Sequence, residues 1–360
     1  MSIIKQTRVL SAIVGSYPKP SYILPDQNNR QLIDDSGRYF YDLKEEIGEV
    51  EFNKLLDKAT DEAIADQEEA GLDIVADGEE RREHYVLYNL RHLDGVDFTM
   101  WKEIEIRGGA YKRMAPTVNG QIRYRAPWLV GDFEYLKSRT GKIAKMTLPG
   151  PTTAVDVMYD EYYGGDRQAM AVDYARAIRV EVGKLIEAGC EMIQFDDPML
   201  LRDPNRAKAW GLRELENCFS GLENRANFGV HICRGYPNKP LEEKGINYKG
   251  NAGYYEQILS FFSNSNIDYV SIEGAQSKLD LSVLSAIGSK SVMLGVIDVG
   301  SHNIESVGGL VARGKEALRY IKPEQLILGT DCGLIMIPKE VALQKMVNLA
   351  LATKIINQEI

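Results

Sequence analysis

The stretch Phe52–Gly78, FNKLLDKATDEAIADQEEAGLDIVADG, places one helix directly before one strand. Apolar residues recur at intervals of three and four from Phe52 to Ala63, which predicts an amphipathic helix. Gly71 occupies the position where a glycine commonly ends a helix. The apolar run that follows predicts a short buried strand ending before Asp77. A buried strand preceded by a helix is typical of a parallel sheet.

Short runs rich in Val, Ile and Leu recur along the chain, and stretches with helical periodicity lie between most of them. Eight such strands alternating with helices favour a (β/α)8 barrel over a doubly wound sheet of six strands. We therefore predict an α/β fold, a TIM barrel that forms one domain over residues 1–360. The predicted strands are Val9–Gly15, Leu72–Ala76, Ile143–Leu148, Met192–Phe195, Phe228–Ile232, Tyr269–Ile272, Ser291–Ile297 and Leu326–Gly329.

Two segments are longer than the barrel requires, and both follow the carboxyl ends of strands, where barrel enzymes build their sites. Residues 16–50 follow the first strand, and residues 77–141 follow the second. Within the second insertion, Asn119-Gly120 predicts the turn of a hairpin over Ala115–Arg125. We expect an inserted hairpin region at about residues 84–141.

The composition excludes several classes of protein. The chain is 44% hydrophobic and 26% charged, as in an ordinary globular protein, and its formal net charge is −9. A negative charge without a Lys/Arg run argues against a nucleic-acid partner. The sequence shows neither a membrane span nor the apolar core of a signal peptide. We therefore expect a cytoplasmic protein that does not bind membranes.

Cysteine and histidine are scarce, and they occur together once, at His231-Ile232-Cys233. Residues two apart on a strand face the same side, so one metal ion can bind both His231 and Cys233. Glu273 and Cys332 follow the sixth and eighth predicted strands. Together these residues offer one imidazole, one carboxylate and two thiolates, a set suited to tetrahedral zinc. We interpret the other two cysteines, Cys190 and Cys218, as core thiols.

Each ligand candidate also has a simpler interpretation. A lone His-X-Cys is more often coincidence than a metal site, and a lone buried cysteine is usually a small hydrophobe. Placement of the set on three strand ends favours the metal. Zinc with two thiolates and a carboxylate is a net negative site, which is poor at generating hydroxide. Such a site keeps a substrate thiol as thiolate at neutral pH, which favours alkyl transfer to sulfur over hydrolysis.

Eight short motifs lie at or near the predicted strand ends. They are VGSYPKP at Val14–Pro20, DGEERR at Asp77–Arg82, LPGPTT at Leu148–Thr153, IQFDDP at Ile193–Pro198, HIC at His231–Cys233, SIEG at Ser271–Gly274, LGVIDV at Leu294–Val299 and TDCGL at Thr330–Leu334. In this order, across nearly the whole chain, they resemble the cobalamin-independent methionine synthase family. The resemblance is to its catalytic C-terminal barrel and to the short members that consist of that barrel alone.

The resemblance implies a zinc-dependent S-methyltransferase that methylates the thiol of L-homocysteine to form methionine. It places the zinc ligands at His231, Cys233, Glu273 and Cys332. It places the amino-acid substrate at Val14, Gly15, Ser16, Glu79 and Asp196. Backbone groups and a hydroxyl suit the substrate carboxylate, and two acidic side chains suit its ammonium.

The sequence departs from the family at the methyl donor. The family contacts folate through an Arg-Cys pair, an aromatic residue and a glutamate, and these positions align here with Ile122-Arg123, Val157 and Arg202. Two classes of methyl donor therefore stay open: methyltetrahydrofolate, and methylcobalamin or another corrinoid. A corrinoid donor would allow a corrinoid protein as a partner.

A second departure concerns the proton-donating histidine of the family, whose position falls on Gly300. His302, two residues away, and Asp298, at the end of the seventh strand, are the candidate catalytic residues. The alternative for His302 is an exposed loop histidine without a chemical role.

Two rival functions remain open on the sequence. One is zinc-dependent alkylation of a different thiol, such as the opening of an epoxide. The other is a barrel with structural zinc that works only with a corrinoid partner protein.

Overall fold

A computed structural model describes residues 7–25, 36–107, 109–237, 242–246 and 248–360. Eight parallel strands form one sheet in the order β1-β11-β10-β9-β8-β7-β5-β2, and a bridge from Ala12 to Ile74 joins its two edges. Strands that follow one another along the sequence are therefore neighbours around a closed barrel. The predicted (β/α)8 barrel is confirmed. The barrel strands are β1 (Leu10–Ser11), β2 (Ile74–Ala76), β5 (Ile143–Pro149), β7 (Met192–Asp196), β8 (Asn227–Ile232), β9 (Tyr269–Ile272), β10 (Ser291–Ile297) and β11 (Leu326–Thr330).

Buried residues on both faces of the strands make two cores. One small cluster, which includes Leu10, Met192, Tyr269 and Met293, fills the barrel interior. A much larger cluster joins the outer faces of the strands to the helices. Because both faces are covered, the strands appear in the sequence as continuous apolar runs, which is why all eight were predictable.

The helices surround the barrel, and none of those described is long and apolar enough to cross a membrane. The helix predicted from Phe52 onward runs from Glu49 to Ala70, and it ends at Gly71 in the left-handed conformation (φ 85°). The helices are α1 (Ser36–Ile47), α2 (Glu49–Ala70), α3 (Leu87–Leu90), α4 (Val130–Arg139), α5 (Pro151–Asp156), α6 (Arg167–Glu187), α7 (Met199–Arg202), α8 (Pro204–Arg206), α9 (Leu212–Asn217), α10 (Tyr255–Phe262), α11 (Val307–Ala317) and α12 (Lys339–Glu359).

The insertion after β2 contains an antiparallel hairpin of β3 (Leu93–Ile106) and β4 (Tyr111–Tyr124). The last pair of this ladder is Ile106 with Tyr111, so the turn predicted at Asn119-Gly120 is wrong. Those two residues belong to β4, where the register shifts opposite Gly95. Gly95 has φ 85°, and a Cβ there would lie 2.4 Å from the carbonyl oxygen of Gln121. Asn119 and Gly120 thus lie at a β-bulge, because the strand pairing continues on both sides of them.

The insertion after β1 covers α2 from the outside. Phe40 on α1 packs edge-on against Phe52 on α2, with ring centroids 5.7 Å apart.

A third strand, β6 (Tyr159–Asp160), extends the hairpin by pairing in parallel with β4. Both insertions start at carboxyl ends of barrel strands, as predicted, and the hairpin therefore stands at the end where the strands deliver their terminal side chains.

Gly229 in β8 makes room for a large side chain in the barrel interior. A Cβ on Gly229 in β8 would lie 2.0 Å from the ring of Tyr269. The Tyr269 hydroxyl in turn lies 3.4 Å from Oε1 of Gln194, inside the barrel.

We predict that Gly229→Ala destabilises the protein by about 1–3 kcal/mol, because the buried tyrosine ring has to move and the interior is close-packed. Gly183→Ala is the matched control, since among the described residues no atom outside its own stretch of α6 lies within 4 Å of a Cβ at this position. It should raise stability by about 0.5–1 kcal/mol. Urea denaturation measures both; equal stability of Gly229→Ala and the parent chain would contradict the packing argument.

Candidate active site

A pocket of about 410 Å³ lies at the carboxyl end of the barrel strands. Seven of the residues predicted to form the site line it: Val14, Ser16, Glu79, Asp196, His231, Cys233 and Cys332. They come from the ends of β1, β2, β7, β8 and β11. Barrel closure therefore brings together side chains from positions 14 to 332.

A group of two thiols and an imidazole forms one wall of the pocket. One ligand atom each from His231, Cys233 and Cys332 lies within 4.8 Å of the other two, and all three residues are buried. The two Sγ atoms are 3.7 Å apart, and both cysteines are free thiols. Nδ1 of His231 is 2.9 Å from Oγ of Ser271, whereas its buried Nε2 has no hydrogen-bond partner in the described residues. The imidazole is thus oriented by its outer nitrogen, as metal-binding histidines usually are.

The two thiols differ strongly in acidity. The hydrogen bond between the two sulfurs lowers the pKa of Cys233 well below its ordinary value, against the effect of burial, and His231 lowers it further. The same hydrogen bond, together with burial, raises the pKa of Cys332 well above the ordinary value. Cys233 is therefore the more acidic thiol of the pair. Burial alone lowers the pKa of His231, but the neighbouring Cys233 raises it overall.

Glu273 is buried near this group. It does not belong to the set of residues whose ligand atoms all lie within 4.8 Å of one another. Its Oε2 accepts a 3.3 Å hydrogen bond from the backbone N–H of Arg234, and its Oε1 lies 3.5 Å from Nη1 of the same arginine. Burial, then the charges of Asp331 and Cys233, raise the pKa of Glu273 to about 7. The structure therefore brings together three of the four predicted ligands, and the fourth stays a prediction.

Asp331 connects the loop that carries Glu273 to the strand end that carries Cys332. Its carboxylate accepts hydrogen bonds from the backbone N–H groups of Gly274, Ala275 and Gln276, at 2.9, 2.9 and 2.6 Å. These bonds hold the ends of β9 and β11 in a fixed relation across β10.

The opposite wall of the pocket is acidic. Glu79 has a left-handed backbone (φ 58°), and its Oε1 accepts a 2.6 Å hydrogen bond from Oγ1 of Thr147. Strained backbone of this kind is common at functional sites. Gly15 does not line the pocket, but a Cβ there would lie 2.8 Å from Oε1 of Glu79. Gly15 therefore leaves the space that Glu79 occupies.

Asp196 faces the same side. Its Oδ1 accepts a 2.8 Å hydrogen bond from Nε2 of Gln194. Burial raises the pKa of Asp196 to about 7, His231 opposes the rise, and the charge of Glu79 adds to it. Two carboxylates at this wall suit a ligand with a cationic group.

A buried lysine lies beneath this wall, inside the barrel. Nζ of Lys145 donates to the backbone oxygens of Ile13 and Val14, at 2.7 and 2.8 Å, and to Oε1 of Gln194 at 3.1 Å. Burial lowers the pKa of Lys145 to about 8, although Asp196 and Glu79 counteract it. This cation fixes the end of the first strand and partly balances the acidic wall.

Five residues that line the pocket were not predicted from the sequence: Tyr85, Arg107, Pro198, Gly235 and Tyr236. The hydroxyl of Tyr236 lies 2.9 Å from Oγ of Ser16. Tyr236 follows Cys233 by three residues, so its position in the loop after β8 was a usable signal. Arg107 stands at the hairpin turn, where no local pattern indicates a site.

The structure does not bring His302 and Asp298 to this pocket. Oδ1 of Asp298 accepts a 2.7 Å hydrogen bond from the N–H of Gly300, so it stabilises the turn that follows β10. His302 is exposed on the same loop. Neither residue lines the pocket or its neighbouring cavity. Both residues are close to position 300 in the sequence, but they lie outside the pocket. Neither residue enters the function proposed below.

A second cavity of about 880 Å³ adjoins the first and shares Tyr85, Arg107, Pro198 and Tyr236 with it. The β3–β4 hairpin forms one side, with Glu105, Ile106, Arg107, Tyr111 and Arg113. Val157 lies on another side. The molecule thus offers two adjoining compartments, one with the thiols and one beneath the inserted hairpin.

The fold and site define a (β/α)8 barrel with a candidate metal centre at the carboxyl ends of its strands. A family model described as the catalytic domain of cobalamin-independent synthase matches residues 11–354. The chain belongs to this family, as its motifs suggested.

Named relatives agree with this assignment. The chain is 27% identical over 352 residues to a methionine synthase of Thermococcus kodakarensis, covering 97% of this chain and 94% of the relative. It is 28% identical over 357 residues to one of Saccharolobus solfataricus, covering 97% and 95%. Among solved structures, a B12-independent methionine synthase from Shewanella sp. W3-18-1, in complex with selenomethionine, is 29% identical, with a TM-score of 0.86 and 98% of each chain covered.

We predict that metal-free protein is alkylated first at Cys233. The thiolate is the reactive form, and the pKa of Cys233 is held below that of an ordinary thiol while the pKa of Cys332 is raised, so a larger fraction of Cys233 is ionised at neutral pH. Iodoacetamide labelling followed by peptide mass spectrometry should show Cys233 reacting at least about tenfold faster than Cys332. Cys190 is the internal control, because burial raises its pKa to about 12. Equal labelling of the two pocket thiols would contradict this difference in acidity.

Proposed function

We propose that this protein is a zinc-dependent methyltransferase that transfers a methyl group to the thiol of L-homocysteine and forms methionine. The observation that carries the proposal is that two thiols and an imidazole share one pocket with Glu79 and Asp196. A metal-binding group and an acidic wall in one pocket suit a ligand that has a thiol at one end and an ammonium at the other. Membership of the family supports the same reaction.

The residues present fit a zinc ion. His231 offers Nε2, which is buried without a hydrogen-bond partner in the described residues, and the two Sγ atoms lie beside each other. We assign the ligands as His231, Cys233, Cys332 and, as the fourth, Glu273. When bound, zinc supplies a positive charge that favours the thiolate form of a substrate thiol, the form that attacks a methyl group.

The rest of the pocket positions the amino acid. Glu79 and Asp196 accept hydrogen bonds from its ammonium, and Ser16 with the backbone of Val14 and Gly15 receives its carboxylate. Lys145 and Thr147 hold this wall in place from below. Orientation of this kind lets the protein place the sulfur in line with the methyl group, which is a large share of the acceleration that an enzyme provides.

The methyl donor approaches from the second cavity, which adjoins the thiol pocket. The three positions that align with folate contacts in the family carry other residues here, and one of them, Val157, lines this cavity. We keep methyltetrahydrofolate and methylcobalamin or another corrinoid as the candidate donors, with a corrinoid protein as a candidate partner. A cytoplasmic location is part of the same proposal.

The acidic wall also bears on the rival functions. A thiol substrate without an amino group brings no cationic group to Glu79 and Asp196, and a purely structural metal leaves the acidic wall unexplained. Both observations favour an amino-acid thiol as the substrate.

We expect Cys332→Ser to lose both stoichiometric zinc and methionine formation, because a serine hydroxyl is a poor zinc ligand compared with a thiolate. Metal analysis and a methyl-transfer assay with homocysteine and either donor measure the two effects. Cys190→Ala is the matched control, since this thiol bonds to the backbone oxygen of Met192 and does not line the pocket, and it should keep both properties. A Cys332→Ser protein that is active without zinc would refute the proposal.

A further inference from the structure

Among the described residues, Arg107 is the one arginine or lysine that lines the thiol pocket, and the proposed chemistry leaves it without a role. It stands at the hairpin turn in a left-handed conformation (φ 55°), which costs energy for a residue with a side chain. Its guanidinium lies against Gly235, where a Cβ would be 2.5 Å from Nη1. A side chain at position 235 would therefore push Arg107 out of the pocket.

The guanidinium of Arg107 has few interaction partners in the described part of the chain. It lies over the ring of Tyr248, 5.3 Å from the centroid, and takes part in no hydrogen bond or ion pair there. Several of its five N–H donors thus remain available to a ligand. A forked, planar cation of this kind is the side chain best suited to bind a carboxylate or a phosphate.

A second cation lies nearby and increases the need for an anion. Arg202 donates a hydrogen bond to the backbone oxygen of Tyr248, the residue whose ring Arg107 covers. Burial and then the charge of Arg107 lower the pKa of Arg202. Two guanidinium groups at one tyrosine repel each other, and an anion between them would relieve the repulsion.

The charges around the second cavity indicate where the anion comes from. Arg107, Arg113 and Arg167 line it, against Glu105 and Asp156. Asp156 is already bound by Arg206 through two hydrogen bonds of 2.8 Å and by Arg167 through one of 3.1 Å. The cavity is therefore locally basic in a protein of net charge −9. The thiol pocket, in contrast, is acidic at Glu79 and Asp196.

We propose that Arg107 is a specificity-determining residue that binds an oxyanion, a carboxylate or a phosphate, on the methyl donor in the second cavity. The inference rests on the proposed function, because it requires a donor that approaches the thiol pocket from this side. Arg107 lies where both cavities meet, so the same contact fixes the donor relative to the sulfur.

The test is the affinity of zinc-loaded protein for each donor, measured by calorimetry without homocysteine so that no turnover occurs. The donors are methyltetrahydrofolate with one and with three glutamates, methylcobalamin, and methylcobinamide, which lacks the phosphate. Arg107→Gln should weaken donor binding roughly tenfold to a hundredfold, and Arg107→Lys should weaken it less. Lys112→Gln, which removes an exposed hairpin cation that bonds to Glu103, is the control and should change the affinity less than about twofold.

The donors separate the two oxyanions. A loss confined to the folates assigns a carboxylate, and a loss with methylcobalamin but not with methylcobinamide assigns the phosphate. Unchanged donor affinity in Arg107→Gln overturns the inference, as does a parent protein that binds none of the four. A loss of affinity for homocysteine alone also overturns it and assigns Arg107 to the amino-acid carboxylate.

Homocysteine binding to the same zinc-loaded protein is measured separately and tests the underlying function. If homocysteine fails to bind, the proposed function fails, whatever Arg107 does. If homocysteine binds and Arg107→Gln leaves the donors unaffected, the function stands and only the inference about Arg107 is lost.

Discussion

The contact between Cys233 and Cys332 depends on closure of the barrel. These residues follow β8 and β11, which are separated in the sheet by β9 and β10. In a flat sheet, three intervals of about 4.8 Å would place the strands roughly 14 Å apart. The sulfurs are 3.7 Å apart because the sheet curves and the strand ends converge on the barrel axis. The candidate metal centre is therefore a property of the closed fold.

The convergence concentrates negative charge, and the molecule compensates for it from beneath. Glu79, Asp196 and the Cys233 thiolate all border one pocket, and burial of such groups is costly unless they are paired. Lys145 and Arg82 are buried below them; Nη1 of Arg82 donates to Oγ1 of Thr147, which donates to Glu79. A metal cation and a substrate ammonium would supply the remaining positive charge from above. The same charge balance thus explains both the framework and the proposed ligands.

The sequence predicted the strands and the site residues at their ends. It missed the features that depend on contacts between distant parts of the chain. All eight strands were predictable because buried parallel strands are continuous apolar runs, and their ends supplied seven residues of the pocket. The turn at Asn119-Gly120 was wrong because the long hairpin ladder overrides a local turn preference. Arg107 was missed because it reaches the pocket only through packing of the hairpin tip against Gly235. His302 follows the aligned position of the family histidine by two residues, but it does not line the pocket.

The central claim is that one pocket holds both a zinc ion and an amino-acid thiol. X-ray absorption at the zinc edge tests it most directly, recorded on the zinc-loaded protein before and after addition of homocysteine, with 4-mercaptobutyric acid as a thiol that lacks the amino group. One additional zinc–sulfur bond should appear with homocysteine at concentrations where the control thiol adds none. A first shell that homocysteine leaves unchanged would contradict it and would identify the metal as structural.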